Sequence, residues 1–413
     1  MQLTQDQLNI KQAVRQFYHN KESFMTINGS AGTGKTTVLK HLYETEDALN
    51  ESLELIDPNY EEKTMVFSAT TNKAVNLLQS QFMGMGVQAR TIHSFLGYRP
   101  INGKLKRTKT TTQIAIEFNN MIIVIDEASM IGDDLFEDLE YIARYSNIKF
   151  LFVGDSNQLP PVKQKTVSKV FTEVHTVVRA TQVVRQENEL LQLADSFRQF
   201  VETDSLPVIQ VNGTSIQHVD QDTFEKMIID DMSSDDWNIK DSRVVAYSNK
   251  KVQHYNALIK KDITGSAFIK EGEMVINNHY LRGANNTSIP TEAEVYIRKI
   301  RPLKAFVDGF CYDISVGIKD TTVWMPLDEE AKKELKKLKR EDKLPISFLD
   351  TWADLRPMYA STIHKSQGST FKRIYIDLNS IKSVQYYDPL MFKRLLYVAV
   401  SRASEQVIFT GDI

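Results

Sequence analysis

With 413 residues, 42% of them apolar, the chain can bury two or three hydrophobic cores, since a single core rarely grows past about 250–300 residues. A formal net charge of −3 and a pI of about 6.3 exclude a global basic field, so contact with a polyanion must come from a local groove. The single cysteine, Cys311, excludes an internal disulfide and argues against a cysteine-based zinc site.

In chain order, the opening MQLTQDQLNI lacks the basic-then-apolar pattern of a leader, and no apolar run approaches the ~18 residues that span a bilayer; a soluble, cytoplasmic protein without membrane association is expected. Thr4 and Gln7 have the spacing of a helix capping box. Short Val/Ile/Phe-rich strands are predicted at 24–27, 65–69, 122–125 and 150–153, alternating with helical periodicity, the mark of a parallel sheet covered by helices. A second series follows, with strands at 243–247, 373–377 and 407–410 and a helix over 388–400, where Asp388 serves as N-cap and Pro389 occupies the first helical position. Two α/β cores in tandem are expected, 1–190 and 191–413.

Two stretches interrupt this alternation. Residues 97–119 contain Asn102-Gly103, a strong hairpin signal, flanked by Lys104, Lys106, Arg107 and Lys109. Residues 268–350 carry strand-like runs at 273–276, 295–300, 306–316 and 322–325, spaced as in a small barrel. A charged helix over 328–343 follows, with a narrow apolar stripe of Ala331, Leu335 and Leu338; it reads as a solvated surface element.

The chemistry lies at the carboxyl ends of the predicted strands. Gly29-Ser30-Ala31-Gly32-Thr33-Gly34-Lys35-Thr36 fits G-x-x-x-x-G-K-[ST] between a strand and a helix that continues through Thr37. Its backbone N–H groups can close around phosphate oxygens, Lys35 supplies a point charge to the β and γ phosphates, and the Thr36 hydroxyl can ligate Mg²⁺. Asp126 and Glu127 end the next buried strand on the same sheet edge. Asp126 is suited to Mg²⁺ and Glu127 to deprotonating the attacking water, although two carboxylates here can also cap a helix. Further on, Val153-Gly154-Asp155-Ser156-Asn157-Gln158 places Gln158 where it can reach the γ-phosphate and report its loss.

Taken together these motifs resemble the superfamily 1 helicases, branch B, the RecD-like enzymes that include the phage Dda-type DNA helicase. The resemblance implies an α/β fold of two tandem RecA-like P-loop cores, with a β-hairpin pin inserted in the first and an SH3-like β-barrel inserted in the second. It makes Gln7, in Leu3-Thr4-Gln5-Asp6-Gln7, the adenine reader beside its capping role, and adds Gly368 to the ATP site. Thr71, Asn72 and Lys73, in a segment reading Ala69-Thr70-Thr71 where the family has Ala-Pro-Thr, would contact nucleic acid. So would Thr91 and His93 in Thr91-Ile92-His93-Ser94, and Thr362, His364 and Lys365 in the second Thr-Ile-His string. Tyr98, Lys104, Lys106 and Arg107 would belong to the pin, and Trp324, Phe348 and Trp352 are candidates for base stacking. Arg402 would be an arginine finger from the second core, joined by Arg185, with Arg179 as its rival.

What the resemblance implies is an ATP- and Mg²⁺-dependent DNA helicase that moves 5′ to 3′ on single-stranded DNA and opens forked duplexes. It would work as a monomer, in the bacterial host cytosol if phage-encoded, beside single-strand-binding and replication or recombination proteins. Two alternatives stay open: a translocase that strips proteins with little unwinding, and a nucleic-acid clamp whose ATP site only switches its grip.

Overall fold

The computed structural model describes residues 3–101, 104–161, 164–182, 188–234, 236–266, 268–304, 306–341, 343–344 and 352–413. The chain divides into two compact units: Met1–Ile216, Ser366–Thr370 and Ile381–Gln406 form the first, and Gln217–Lys365, Phe371–Ser380 and Val407–Ile413 form the second.

In the first unit, β1 (Phe24–Gly29), β2 (Thr64–Ala69) and β3 (Arg90–Thr91) precede a hairpin of β4 (Tyr98–Ile101) and β5 (Lys104–Arg107). Then come β6 (Met121–Asp126), β7 (Lys149–Gly154) and β8 (Thr176–Ala180). The main sheet has the order β3-β2-β6-β7-β1-β8, and every described pairing in it is parallel. Parallel strands covered on both faces need apolar side chains at successive positions. Ile122 and Val124 of β6 bury on one face with Leu151 and Val153, and Ile123 and Ile125 bury on the other with Phe150 and Phe152. The four longer strands fall where the sequence places them. β3 and β8, two and five residues long, were not anticipated.

The hairpin is confirmed in its strands: Tyr98 pairs with Arg107 and Ile101 with Lys104. Its expected tip, Asn102-Gly103, lies outside the described residues, as do Arg185 and Phe348. The helix Pro389–Val400 is capped as expected, the Asp388 carboxylate accepting the Met391 N–H at 3.0 Å. Buried residues run nearly all round this helix, so it needs neighbours on more than one side. One is the helix Glu189–Thr203, where Phe200 meets Phe392 edge-on at 6.3 Å and Lys393 pairs with Asp204. Helix 389–400 therefore packs with the unit that carries the phosphate loop.

In the second unit, β9 (Ile216–Val219), which enters it at Gln217, and β10 (Ser242–Ala246) come first. After them lie β11 (Met274–Asn277), the short pair β12 (Leu281–Arg282) and β13 (Ser288–Ile289), and the long antiparallel run β14 (Glu294–Lys304), β15 (Asp308–Val316) and β16 (Lys319–Pro326). The series ends with β17 (Leu355–Arg356), β18 (Ala360–Thr362), β19 (Phe371–Asp377) and β20 (Ala403–Thr410), the last of which enters this unit at Val407. One sheet has the order β18-β10-β19-β20-β9, with β10 parallel to both β18 and β19. The insertion forms an antiparallel sheet, β16-β15-β14-β11-β17. The helix Glu329–Arg340 seats Leu335, with Ala331 and Leu338, on Trp324 and Val307. Trp324 is thus a core residue, 3% exposed, which removes it from the candidates for base stacking.

Candidate functional site: a phosphate loop and its buried polar neighbours

The phosphate loop joins β1 to the helix Lys35–Glu44. Gly32 and Gly34 hold φ of 85° and 77°, a left-handed conformation that glycine adopts without strain. At Gly29 a Cβ would come within 2.8 Å of Ala180 Cβ and 2.9 Å of Thr33 Oγ1. The helix begins at Gly34 without a side-chain cap, and the N–H groups of a helix's first turn are the natural donors to an anion. The Lys35 ammonium folds onto the loop and donates to the Gly29 and Ser30 carbonyls at 2.5 and 2.9 Å. Such a cradle fits a nucleoside triphosphate, with Thr36 in the first turn and Asp126 at the end of β6 as the residues that would hold Mg²⁺ beside its phosphates.

Gln7 is 2% exposed. It closes the capping box with Thr4, and its Nε2 also donates to the Thr33 carbonyl at 3.5 Å. The side chain thereby ties the first helix to the phosphate loop.

Asp126 accepts the Glu127 N–H at 2.9 Å. Burial raises its carboxyl above the ordinary range, against that hydrogen bond and the Lys35 charge. Glu127 sits at φ 54°, ψ 41°, a left-handed conformation uncommon for a residue with a side chain. Burial, then the Asp126 charge, push it up to about 7, opposed by Arg402 and Lys35. A carboxylate near neutrality is suited to taking a proton from water. Gly368, at φ 74°, lies with its Cβ direction 3.8 Å from Glu127 Oε1.

Arg402 is 5% exposed. Its guanidinium donates to the Val398 carbonyl (3.1 Å), the Ser369 carbonyl (3.2 Å) and Ser401 Oγ (2.8 Å). Burial lowers its pKa, while Glu127, Tyr397 and Asp155 favour its charge. Gln158, 6% exposed, accepts from Gln367 Nε2 at its Oε1 (2.9 Å) and from Arg394 Nη1 at its backbone carbonyl (3.1 Å). Gln367 Nε2 also donates to Ser129 Oγ at 3.2 Å, and Tyr397 O–H donates to Asp155 Oδ2 at 2.6 Å. Ser129, Asp155, Gln367, Arg394 and Tyr397 were not assigned roles from the sequence. Tyr397 and Arg394 stand in a helix that reads as core. The available signal was polar tips spaced i, i+3 on its face.

The strand-tracking candidates are placed in their own units. Thr71 caps the helix Asn72–Gln81 through the Ala74 N–H at 3.2 Å, and Asn72 is exposed in its first turn, followed by Lys73. Thr91 receives the Ser94 N–H at 3.2 Å, and His93 meets the Tyr98 ring edge-on at 5.6 Å. Tyr98 donates to Asp138, which also pairs with Arg107 at 3.6 Å; Lys109 pairs with Glu117, and Lys106 is exposed. Part of the positive charge expected of the hairpin is therefore neutralised at its base. In the second unit, Thr362 receives the Lys365 N–H at 3.3 Å, His364 lies 6.2 Å from the Tyr247 ring, and the Lys365 ammonium pairs with Glu292 at 3.0 Å and bonds Asn278. Of the rival arginines, Arg179 is exposed on β8.

The loop, the acidic strand end and the buried arginine make this a P-loop nucleoside triphosphatase site. Known proteins extend that reading. Residues 2–206 match the family described as AAA domain, and residues 357–410 match the UvrD-like helicase C-terminal domain. The ATP-dependent DNA helicase dda of Enterobacteria phage T4 is 25% identical over 98% of this chain and 99% of its own length. The RecBCD enzyme subunit RecD of Buchnera aphidicola is 22% identical over 92% and 69%. A solved structure of two coordinating Pif1 helicases at forked duplex DNA superposes with a TM-score of 0.56 at 18% identity, over 100% of this chain and 93% of that one, which shows a common fold. The chain is an ATP-driven enzyme of the helicase type, similar to the Dda and RecD enzymes. Among the described residues, no helix is long and apolar enough to cross a membrane.

Proposed function

We propose that the protein is a Dda-like DNA helicase that travels 5′ to 3′ along single-stranded DNA and opens forked duplexes, using ATP and Mg²⁺. The observation that carries this reading is the convergence of Glu127, Gln158 and Arg402 in one unit with the phosphate loop: a water-activating carboxylate, a polar group for the terminal phosphate and a cation for the dispersed charge of the transition state.

In this reading Lys35, Thr36 and Asp126 hold the Mg-nucleotide, Gln7 reads the adenine edge, and Arg402 acts as the finger, with Arg185 as a second cation. Thr71, Asn72, Lys73, Thr91 and His93 of one core, and Thr362, His364 and Lys365 of the other, grip strand phosphates, contacts that position without reading sequence. The hairpin within the insertion 97–119 acts as the pin and the antiparallel insertion as an SH3-like support. Separating one base-pair step opposes roughly 1.4 kcal/mol of stacking, so hydrolysis must drive each step. The relatives Dda and RecD are named as a DNA helicase and a RecBCD subunit, which supports DNA as substrate and replication or recombination proteins as partners.

The test is displacement of a labelled strand from partial duplexes with a 5′ or a 3′ overhang, made of DNA or RNA, with ATP and Mg²⁺. Displacement confined to the 5′-tailed DNA is expected. ATP turnover without displacement, but with eviction of a bound protein, would establish the translocase; turnover indifferent to any strand would overturn the reading.

A further inference from the structure

The chain contains one seven-residue pattern twice. Thr91-Ile92-His93-Ser94-Phe95-Leu96-Gly97 and Thr362-Ile363-His364-Lys365-Ser366-Gln367-Gly368 share Thr, Ile, His and Gly at matching positions. They also share conformation. Each begins at the end of a strand on the edge of its sheet, β3 or β18, and turns through a four-residue helix in which the threonine hydroxyl receives the N–H three residues on. Each ends in a left-handed glycine, φ 71° and 74°.

The sixth position differs. Leu96 is wholly buried in the apolar core of the first unit. Gln367 is buried as well, 8% exposed, yet carries a carboxamide. Burying that group without partners would be costly. Its two N–H donors are both used, on Gln158 Oε1 and on Ser129 Oγ.

We infer that Gln367 is a positioning residue for ATP hydrolysis, fixing the polarity of the Gln158 carboxamide so that Gln158 presents N–H groups to the terminal phosphate. This rests on the reading of Gln158 as the group that faces that phosphate. An amide has one accepting end and one donating end. Gln367 donates to the accepting end, so what Gln158 has left to offer is a donor, and a phosphate oxygen accepts hydrogen bonds. The backbone of Gln158 is already fixed at both sides: its N–H reaches the Asp155 carbonyl at 3.2 Å and its carbonyl accepts Arg394 at 3.1 Å. Side-chain orientation is the freedom that remains, and Gln367 removes it. Ser129 lies two residues beyond Glu127, so the same amide ties the turn after the water-activating carboxylate to the phosphate-facing group.

The test is ATP turnover by the full chain carrying Gln367→Leu, which installs the residue of the first copy, and Gln367→Glu, which replaces the donor by an acceptor. Each is also combined with Gln158→Ala. Losing one aligned donor in a preorganised site costs about 10²–10³ in rate; disordering one should cost less, and reversing it about as much. Gln367→Leu should lower kcat roughly tenfold and Gln367→Glu about a hundredfold, with the KM for ATP within about threefold and the melting temperature within a few degrees of the parent. In the Gln158→Ala background neither change should slow turnover further. Losses that multiply in the double variants, or a Gln367→Glu enzyme as fast as Gln367→Leu, would overturn the inference. A full-speed Gln158→Ala enzyme would overturn it together with the assignment of Gln158. Strand displacement is not needed for any of these readouts, so failure of the helicase reading registers separately.

Discussion

The two Thr-Ile-His strings show how one backbone device serves two purposes. The resemblance extends to the neighbouring strand in each case. Ala69 precedes Thr71-Asn72-Lys73 and Ala246 precedes Ser248-Asn249-Lys250, and Thr71 and Ser248 each cap the following helix. Ala69 pairs with Thr91 and Ala246 with Thr362. The differences lie beyond the histidines. After His93 the chain runs into apolar Phe95 and Leu96 and then into the hairpin, whose base is fastened by Asp138 to Tyr98 and Arg107. After His364 it runs into Lys365, paired with Glu292, and then into Gln367 among the groups around the phosphate loop. The first copy is an anchor held by hydrophobic burial. The second is joined by hydrogen bonds to Gln158 and Ser129, and an amide can be switched by a change in its partners where a leucine cannot.

Exchanging the distinguishing residues should break this comparison most severely in the first copy. Leu96→Gln buries an unpartnered carboxamide and forfeits core packing, so a loss of about 3–5 kcal/mol is expected in denaturant unfolding; a loss below 1 kcal/mol would mean that the site has polar partners or water. Next comes Gly97→Ala. The new methyl would stand 2.5 Å from Lys109 Cγ on a left-handed backbone, and about 2–3 kcal/mol should be lost, with strand separation falling more than ATP turnover per folded molecule. Equal falls would show that the hairpin base and the nucleotide site are not separable.

Gly368→Ala meets only an ordinary contact, 3.8 Å from Glu127 Oε1, and suffers the left-handed strain alone, about 1–2 kcal/mol. Its readout should be turnover, lowered roughly tenfold, with no stability loss beyond that strain. Unaltered turnover would detach the second string from the chemistry.

The smallest effect concerns the histidines. Burial lowers both His93 and His364 below 6.5, so the unfolded chain binds more protons than the folded one between the folded pKa and 6.5. Stability from this source is complete above pH 6.5 and declines as pH falls through the folded pKa. His93→Asn or His364→Asn should each flatten the acid side of the stability profile by less than about 1 kcal/mol between pH 6.5 and 5.5; an unchanged profile would show that neither ring is neutral by virtue of burial.

Local chemistry explains what could be read in advance. The strands of the first sheet that are buried on both faces announce themselves as unbroken apolar runs such as Ile122-Ile123-Val124-Ile125, and the phosphate loop and the Asp388-Pro389 helix start follow from backbone preferences of single residues. β3 and β18 are too short for any periodicity, and their place is set by pairing with distant partners. The buried polar cluster was illegible for a similar reason. Tyr397 belongs to Leu395-Leu396-Tyr397-Val398-Ala399-Val400, a stretch that reads as core, and only its hydroxyl, meeting Asp155 across 242 residues of sequence, carries the interaction. The pairing of Lys109 with Glu117 and of Arg107 with Asp138 likewise turned an apparent polyanion-binding surface into partly internal electrostatics. Leu96 against Gln367 was the clue available in the letters themselves, once the two strings were aligned.

The helix Pro389–Val400 belongs with a sheet whose last strand ends at Ala180, and this has a consequence for biosynthesis. On the ribosome, some two hundred residues must emerge after β8 before that sheet gains the helix that covers Phe200 and engages Asp155. Such remote closure makes folding slow and leaves apolar surface exposed in the interval. A nascent chain halted shortly after residue 216 should therefore be a chaperone client, and synthesis should become productive only once the stretch through Gln406 has cleared the exit tunnel.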